Sequence, residues 1–165
     1  MAQNFTKKQT SVQRGGLSLK KIFKVMMEGG YYPSWEKTHI IFNMDDNLAV
    51  LEYEEGVLST RIFFSIEENA YDLFLEASNT SMMETYLVKP VLLEDMCNIM
   101  FSCETMCDNI REVKKFLPRM VRLLNESITV HKSNMKKLVL ANETFVSSGM
   151  VSEEQAMLSN HKLLS

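Results

Sequence analysis

Between His39 and Ile66, apolar and polar side chains alternate in three successive runs, separated only by two short polar turns. In the first run, His39 to Met44, the residues Ile40, Phe42 and Met44 share one side. Leu48 to Tyr53 follows the turn Asp45-Asp46-Asn47, and Val57 to Ile66 follows Glu54-Glu55-Gly56. The last run puts Leu58, Thr60, Ile62, Phe64 and Ile66 on one side, with Val57, Ser59, Arg61, Phe63 and Ser65 on the other. A period of two marks a strand with one face toward a core. Parallel neighbours need a long crossover, so turns this short allow only antiparallel pairing. The segment predicts a three-stranded meander, and the rest of the chain has to fold around it.

Upstream, Leu19, Ile22, Phe23 and Met26 recur at helical spacing. Ser18 is placed to cap that helix and Gly29-Gly30 to stop it. Tyr31-Tyr32-Pro33-Ser34-Trp35 reads as an aromatic loop. Downstream, Ser65-Ile66-Glu67-Glu68 has the form of a capping box, predicting a second helix that buries Ala70, Tyr71, Phe74 and Leu75. That helix is expected to end in the polar patch Ser78-Asn79-Thr80-Ser81. Thr85 to Leu93 and Cys97 to Glu104 predict a hairpin turning at Glu94-Asp95-Met96. Pro90 donates no ladder bond, which confines it to an edge or a bulge. From Asn109 onward, Ile110, Val113, Leu117, Met120, Val121, Leu124 and Ile128 mark a long amphipathic helix, with a kink or break expected at Pro118. The predicted order is α-βββ-α-ββ-α. It describes an α+β fold, an antiparallel five-stranded sheet with helices packed on one face.

At 165 residues the chain suits one domain with a single core. Residues 1–16, polar and basic, read as a flexible N-terminal arm. Residues 17–138 form the domain, and 139–165 are a C-terminal tail in which Ser152-Glu153-Glu154-Gln155 starts a short helix or stays loose. A net charge of −3 hides an uneven distribution. Lys7, Lys8, Arg14, Lys20, Lys21 and Lys24 precede any acid, whereas the middle holds Asp45, Glu52, Glu54, Glu55, Glu67 and Asp72 against Arg61 alone. Such polarity suits orienting a partner or a second copy. No run approaches the ~20 apolar residues of a membrane span, and no apolar run follows the basic N-terminus as in a signal peptide. Three cysteines, an odd number, fit a reducing compartment better than a disulfide framework. The expected location is the cytoplasm.

The chain carries no GxSxG motif, no phosphate-cradling glycine loop and no cysteine beside a histidine. Cys97, Cys103 and Cys107 match no zinc spacing. Cys97 and Cys103 fall in step with Ile99 and Phe101, as small core residues would. His39 and His131 read as packed or surface histidines, and the turn carboxylates as solvated acids. No catalytic residue, metal site or cofactor is expected.

The opening helix, the acidic turns in NMDDNLAVLEYEEGVLSTRIFFSI, the hairpin LVKPVLLEDMCNIMFSCET and the closing NIREVKKFLPRMVRLLNESI together span Leu19 to about Asn134. In element order and texture this stretch resembles the type III secretion chaperone-like fold and the related YbjN-type proteins, labelled candidate bacterial sensory transduction regulators. The resemblance implies a chaperone-like or adaptor-like protein-binding role, no enzymatic activity and, often, a homodimer.

The residues themselves point the same way. Thirteen methionines are many for this length, and flexible thioethers suit surfaces that fit variable apolar peptides. Met26, Met44 and Met120 read as core. Met100 alternates out of the Cys97, Ile99 and Phe101 face, so it points outward with Phe63 and Arg61. Phe63, Met100 and Arg61 are therefore the expected partner-binding residues, for a protein or peptide client or for self-association. Two other readings stand beside this one. A nucleic-acid module would use the basic residues Arg111, Lys114, Lys115, Arg119, Arg122, Lys132, Lys136 and Lys137, with Tyr31, Tyr32 and Trp35 stacking bases. A small-molecule enzyme would need a dispersed site of convergent polar groups.

Overall fold

The computed structural model describes residues 16 to 147 apart from Asp46. Expectations for the basic arm up to residue 15 and for the tail from residue 148, with its helix at Ser152-Glu153-Glu154-Gln155, lie outside the described residues. Helix α1 (Leu19–Glu28) opens on Ser18, whose hydroxyl accepts from the Lys21 backbone N–H at 3.4 Å. It closes at Gly29, and Gly30 takes the positive φ of 78° that a side chain would resist.

The aromatic loop holds a two-residue strand, β1 (Ser34–Trp35), paired with β2 (Ile40–Met44). The sheet is therefore six-stranded, not five-stranded as expected, since two residues are too few to show an alternation. Strands β2, β3 (Asn47–Glu54) and β4 (Val57–Ser65) form the expected antiparallel meander. Between β3 and β4, Glu55 and Gly56 have φ of 49° and 85°, and two successive positive values suit a tight hairpin turn.

Beyond β4 two expectations are corrected. Ser65 does not start a helix. It stays in the ladder opposite Asn98, and its hydroxyl donates to Asn98 Oδ1 at 3.4 Å. A short 3-10 turn (Glu68–Ala70) intervenes, and α2 (Tyr71–Glu84) follows Ala70 with no side-chain cap bond. Nor does α2 end in the polar patch. Ser78 and Ser81 are buried inside it, and the Ser81 hydroxyl donates to the Ala77 carbonyl at 2.6 Å, so these serines are satisfied without breaking the helix.

Strands β5 (Val88–Leu92) and β6 (Asn98–Met106) complete the sheet in the order β1-β2-β3-β4-β6-β5, antiparallel throughout. The crossover through α2 makes β5 an edge, which is where Pro90 costs the ladder least. The turn before β6 is organised by Asp95, whose carboxylate accepts from the Cys97 and Asn98 backbone N–H groups at 2.9 and 3.0 Å. The Asn98 side-chain amide adds a further bond and, with the Cys97 N–H, holds the Asp95 carboxyl below its ordinary value. Cys97 belongs to this turn and is exposed, which corrects its expected place in the core beside Cys103. Cys103 and Cys107 are buried.

Helix α3 (Ile110–Ser147) runs 38 residues, unbroken through Pro118 and on past Leu138. Its stripe of Val113, Leu117, Met120, Leu124 and Ile128 is buried against the sheet and α1. Opposing rows of strand residues form the floor of that core. Phe42 faces Ala49, Ala49 faces Ile62, and Ile62 faces Phe101, all nearly inaccessible. Met26, Met44 and Met120 are in the core as expected. No helix among the described residues is long and apolar enough to cross a membrane.

Candidate functional site

The face of the sheet turned away from the helices carries the partner-binding residues expected from the sequence. Because β4 and β6 are neighbours, Phe63 and Met100 stand directly opposite each other as a cross-strand pair. Val91 of β5 faces Met100 from the other side, so an apolar row crosses three strands. Phe63 is 44% exposed and Val91 39%, well above the residues of the opposite face. Farther across the sheet Leu48, paired with Asn43, is more open still. The sequence named Phe63 and Met100 from alternation alone. It missed Val91 and Leu48, since Val91 joins the row only through the β5–β6 register, which no local pattern reveals.

Arg61 lies on the same face, in the next row, opposite Val50 and Ser102. Its guanidinium pairs with Glu52 and reaches Glu104 at 3.7 Å, one acid from each flanking strand. These groups are about a third or more exposed, so the pairs contribute little to stability, roughly 0–1 kcal/mol. Their effect is positional, because Arg61 is held flat against its own sheet rather than extended toward solvent.

On the helical side, a polar seam joins α2 to α3. Ser78 Oγ is 3.2 Å from His131 Nε2, and Asn134 Nδ2 donates to Ser81 Oγ at 3.2 Å and to Glu84 Oε2 at 2.9 Å. His131 is 3% exposed, with its ring against Phe74 and Phe101 at centroid distances of 5.6 and 5.3 Å. Burial pushes its pKa down, partly opposed by a hydrogen bond with the Phe74 backbone, so the ring is held neutral. A serine beside a histidine invites comparison with a nucleophile and its base. Here, though, Ser78 is itself buried at 4% exposure, and the two groups satisfy each other between packed helices. His131 is thus a packed histidine, as its sequence context suggested.

The remaining shifts do not converge on one place. Burial pushes up the Cys103 and Cys107 thiols and the Tyr31 and Tyr53 hydroxyls, and Tyr53 donates to the Cys107 carbonyl at 3.0 Å. Among the described residues, no group of three or more His, Cys, Asp or Glu side chains could hold a metal ion.

No family profile and no curated protein matches the chain. Its structure is similar to the crystal structure of YbjN from E. coli, a candidate transcription regulator, with a TM-score of 0.61 over 73% of this chain and 94% of that one. Sequence identity is 9%, so the likeness carries no residue roles across. The chain has a YbjN-like α+β fold.

Proposed function

We propose that this chain is a non-enzymatic adaptor or chaperone-like domain that holds a polypeptide partner, or a second copy of itself, on the uncovered face of its sheet. The observation that carries the reading is the Phe63–Met100 pair, extended by Val91, on a face that no helix covers. A contiguous apolar row on an uncovered face is what protein-binding sites display. Strand addition at an edge is the weaker alternative. One edge strand has two residues and the other contains Pro90, both of which blunt an edge against pairing. The YbjN-like fold supports a regulatory or adaptor-like role in general terms, and the proposed setting is the cytoplasm.

The test is the double substitution Phe63→Ala with Met100→Ala, read by light-scattering mass and by recovery of partners from native lysate. Association should weaken while the circular dichroism spectrum and the melting transition stay close to wild type. Unchanged association in a folded double variant would remove this surface from consideration.

Nucleic-acid binding through α3 is the second reading, prompted by the YbjN description as a candidate transcription regulator. Several of its basic groups are already engaged. Lys114 pairs with Glu28, Arg122 with Glu126, and Lys137 donates to Asn134. Salt-sensitive retention of nucleic acid by the wild-type protein, lost on reversing Lys132 and Lys136, would favour it.

A further inference from the structure

Between the sheet, α2 and α3 lies a cavity of about 390 Å³, distinct from the open face. Phe64 and Phe101 supply its sheet wall, Phe74 its α2 wall, and Ile128 and Met135 its α3 wall. The His131 ring completes the lining, already edge-on to Phe101 and tilted against Phe74. Lys132 and Lys136, one helical turn apart, border it and are exposed. Among the described residues neither lysine enters an ion pair, and no carboxylate lines the cavity.

Two properties of this site restrict its occupant. The first is size and polarity, since an aromatic and aliphatic chamber of this volume falls within the range of small-molecule sites. The second is charge. The border lysines enter no ion pair among the described residues, while the polar groups of the lining, Ser65 and His131, already hydrogen-bond within the protein. A neutral apolar molecule would leave the lysines unused, and a cation would be repelled by them.

We propose that this cavity binds a free monoacyl carboxylate, its hydrocarbon chain among Phe64, Phe74, Phe101 and Ile128 and its carboxylate at Lys132 and Lys136. Longer chains gain affinity with each buried methylene until the chamber is full. The ligand enters beside the exposed face of α3, so the site works independently of the apolar row on the other side of the sheet.

The experiment is calorimetric titration of the full-length protein with decanoate below its micelle concentration, alongside decylamine as the oppositely charged chain of equal length. Decanoate should bind saturably at one site per chain, with decylamine at least about tenfold weaker. Lys132→Glu with Lys136→Glu leaves the walls intact and should weaken decanoate by about tenfold or more. A photoreactive decanoate analogue should label Phe64, Phe74 or Met135. Absence of saturable binding, equal affinity in the charge-reversed variant, or labelling confined to the Phe63 face would each overturn the proposal. So would recruitment to anionic phospholipid vesicles without any binding of free decanoate.

Discussion

Ser78 Oγ and His131 Nε2 meet at 3.2 Å in the interior, joining α2 to α3 with a pair of groups that are both almost inaccessible. The imidazole is neutral there because burial penalises its charged form. In the unfolded chain the same ring takes up a proton near its ordinary pKa of about 6.5. The folded pKa is the lower of the two, so between them the unfolded state binds more protons and stability rises with pH. His131 therefore contributes a loss of stability that begins as pH falls below about 6.5 and grows down to its folded pKa. In His131→Gln, which keeps a hydrogen-bonding group without titrating, the urea midpoint should vary less between about pH 7.5 and pH 5. A dependence as steep as wild type would show that other groups dominate.

Thr60 is fully buried between Leu51 and Cys103 in the sheet's inner face, and its hydroxyl has no partner among the described residues. Thr60→Val keeps the shape and the strand preference while removing an unsatisfied polar atom. Stability should rise by about 1 kcal/mol, seen as a higher urea midpoint with an unchanged slope.

Leu87, just before β5, has φ of 64° and is 73% exposed, so its left-handed backbone is not offset by burial of its side chain. Glycine removes that steric cost at the expense of some chain entropy. Leu87→Gly should be neutral to stabilising, by up to about 1 kcal/mol, whereas an ordinary surface glycine substitution in a strand would destabilise. Thermal melting of the two kinds of variant separates these effects.

Cys97 is exposed, whereas the Cys103 and Cys107 thiols are buried and held protonated by their surroundings. Iodoacetamide should add a single label, at Cys97, to the native protein, with all three thiols reacting in urea. Intact mass before and after unfolding reads the outcome.

What could be read in advance followed periodicity and turn chemistry. The strands from Ile40 to Ser65, the Ser18 cap, the glycine stop and the outward placing of Phe63 and Met100 all depend on neighbours in sequence. What escaped depended on neighbours in space. Ser65 fits a capping box, but Asn98 claims it for the ladder. Ser78 and Ser81 look like a helix end, but the polar groups of α3 make their burial acceptable. Cys97 fits the core alternation by parity, yet Asp95 draws its backbone into the turn. The chamber beside His131 is built from four separate segments, so no single stretch announces it.

The length of α3 has a mechanical consequence. At 1.5 Å per residue its 38 residues span about 57 Å. Asn134 is the last buried residue among its described side chains, and from Met135 to Glu143 every side chain is half-buried or exposed. The stretch from Met135 to Glu143, about 14 Å of helix, thus lies outside the fully buried core and acts as a lever arm on it. At its inner end the arm meets a polar joint, where one Asn134 amide holds both Ser81 and Glu84 of α2, so a tilt of the arm is felt by α2.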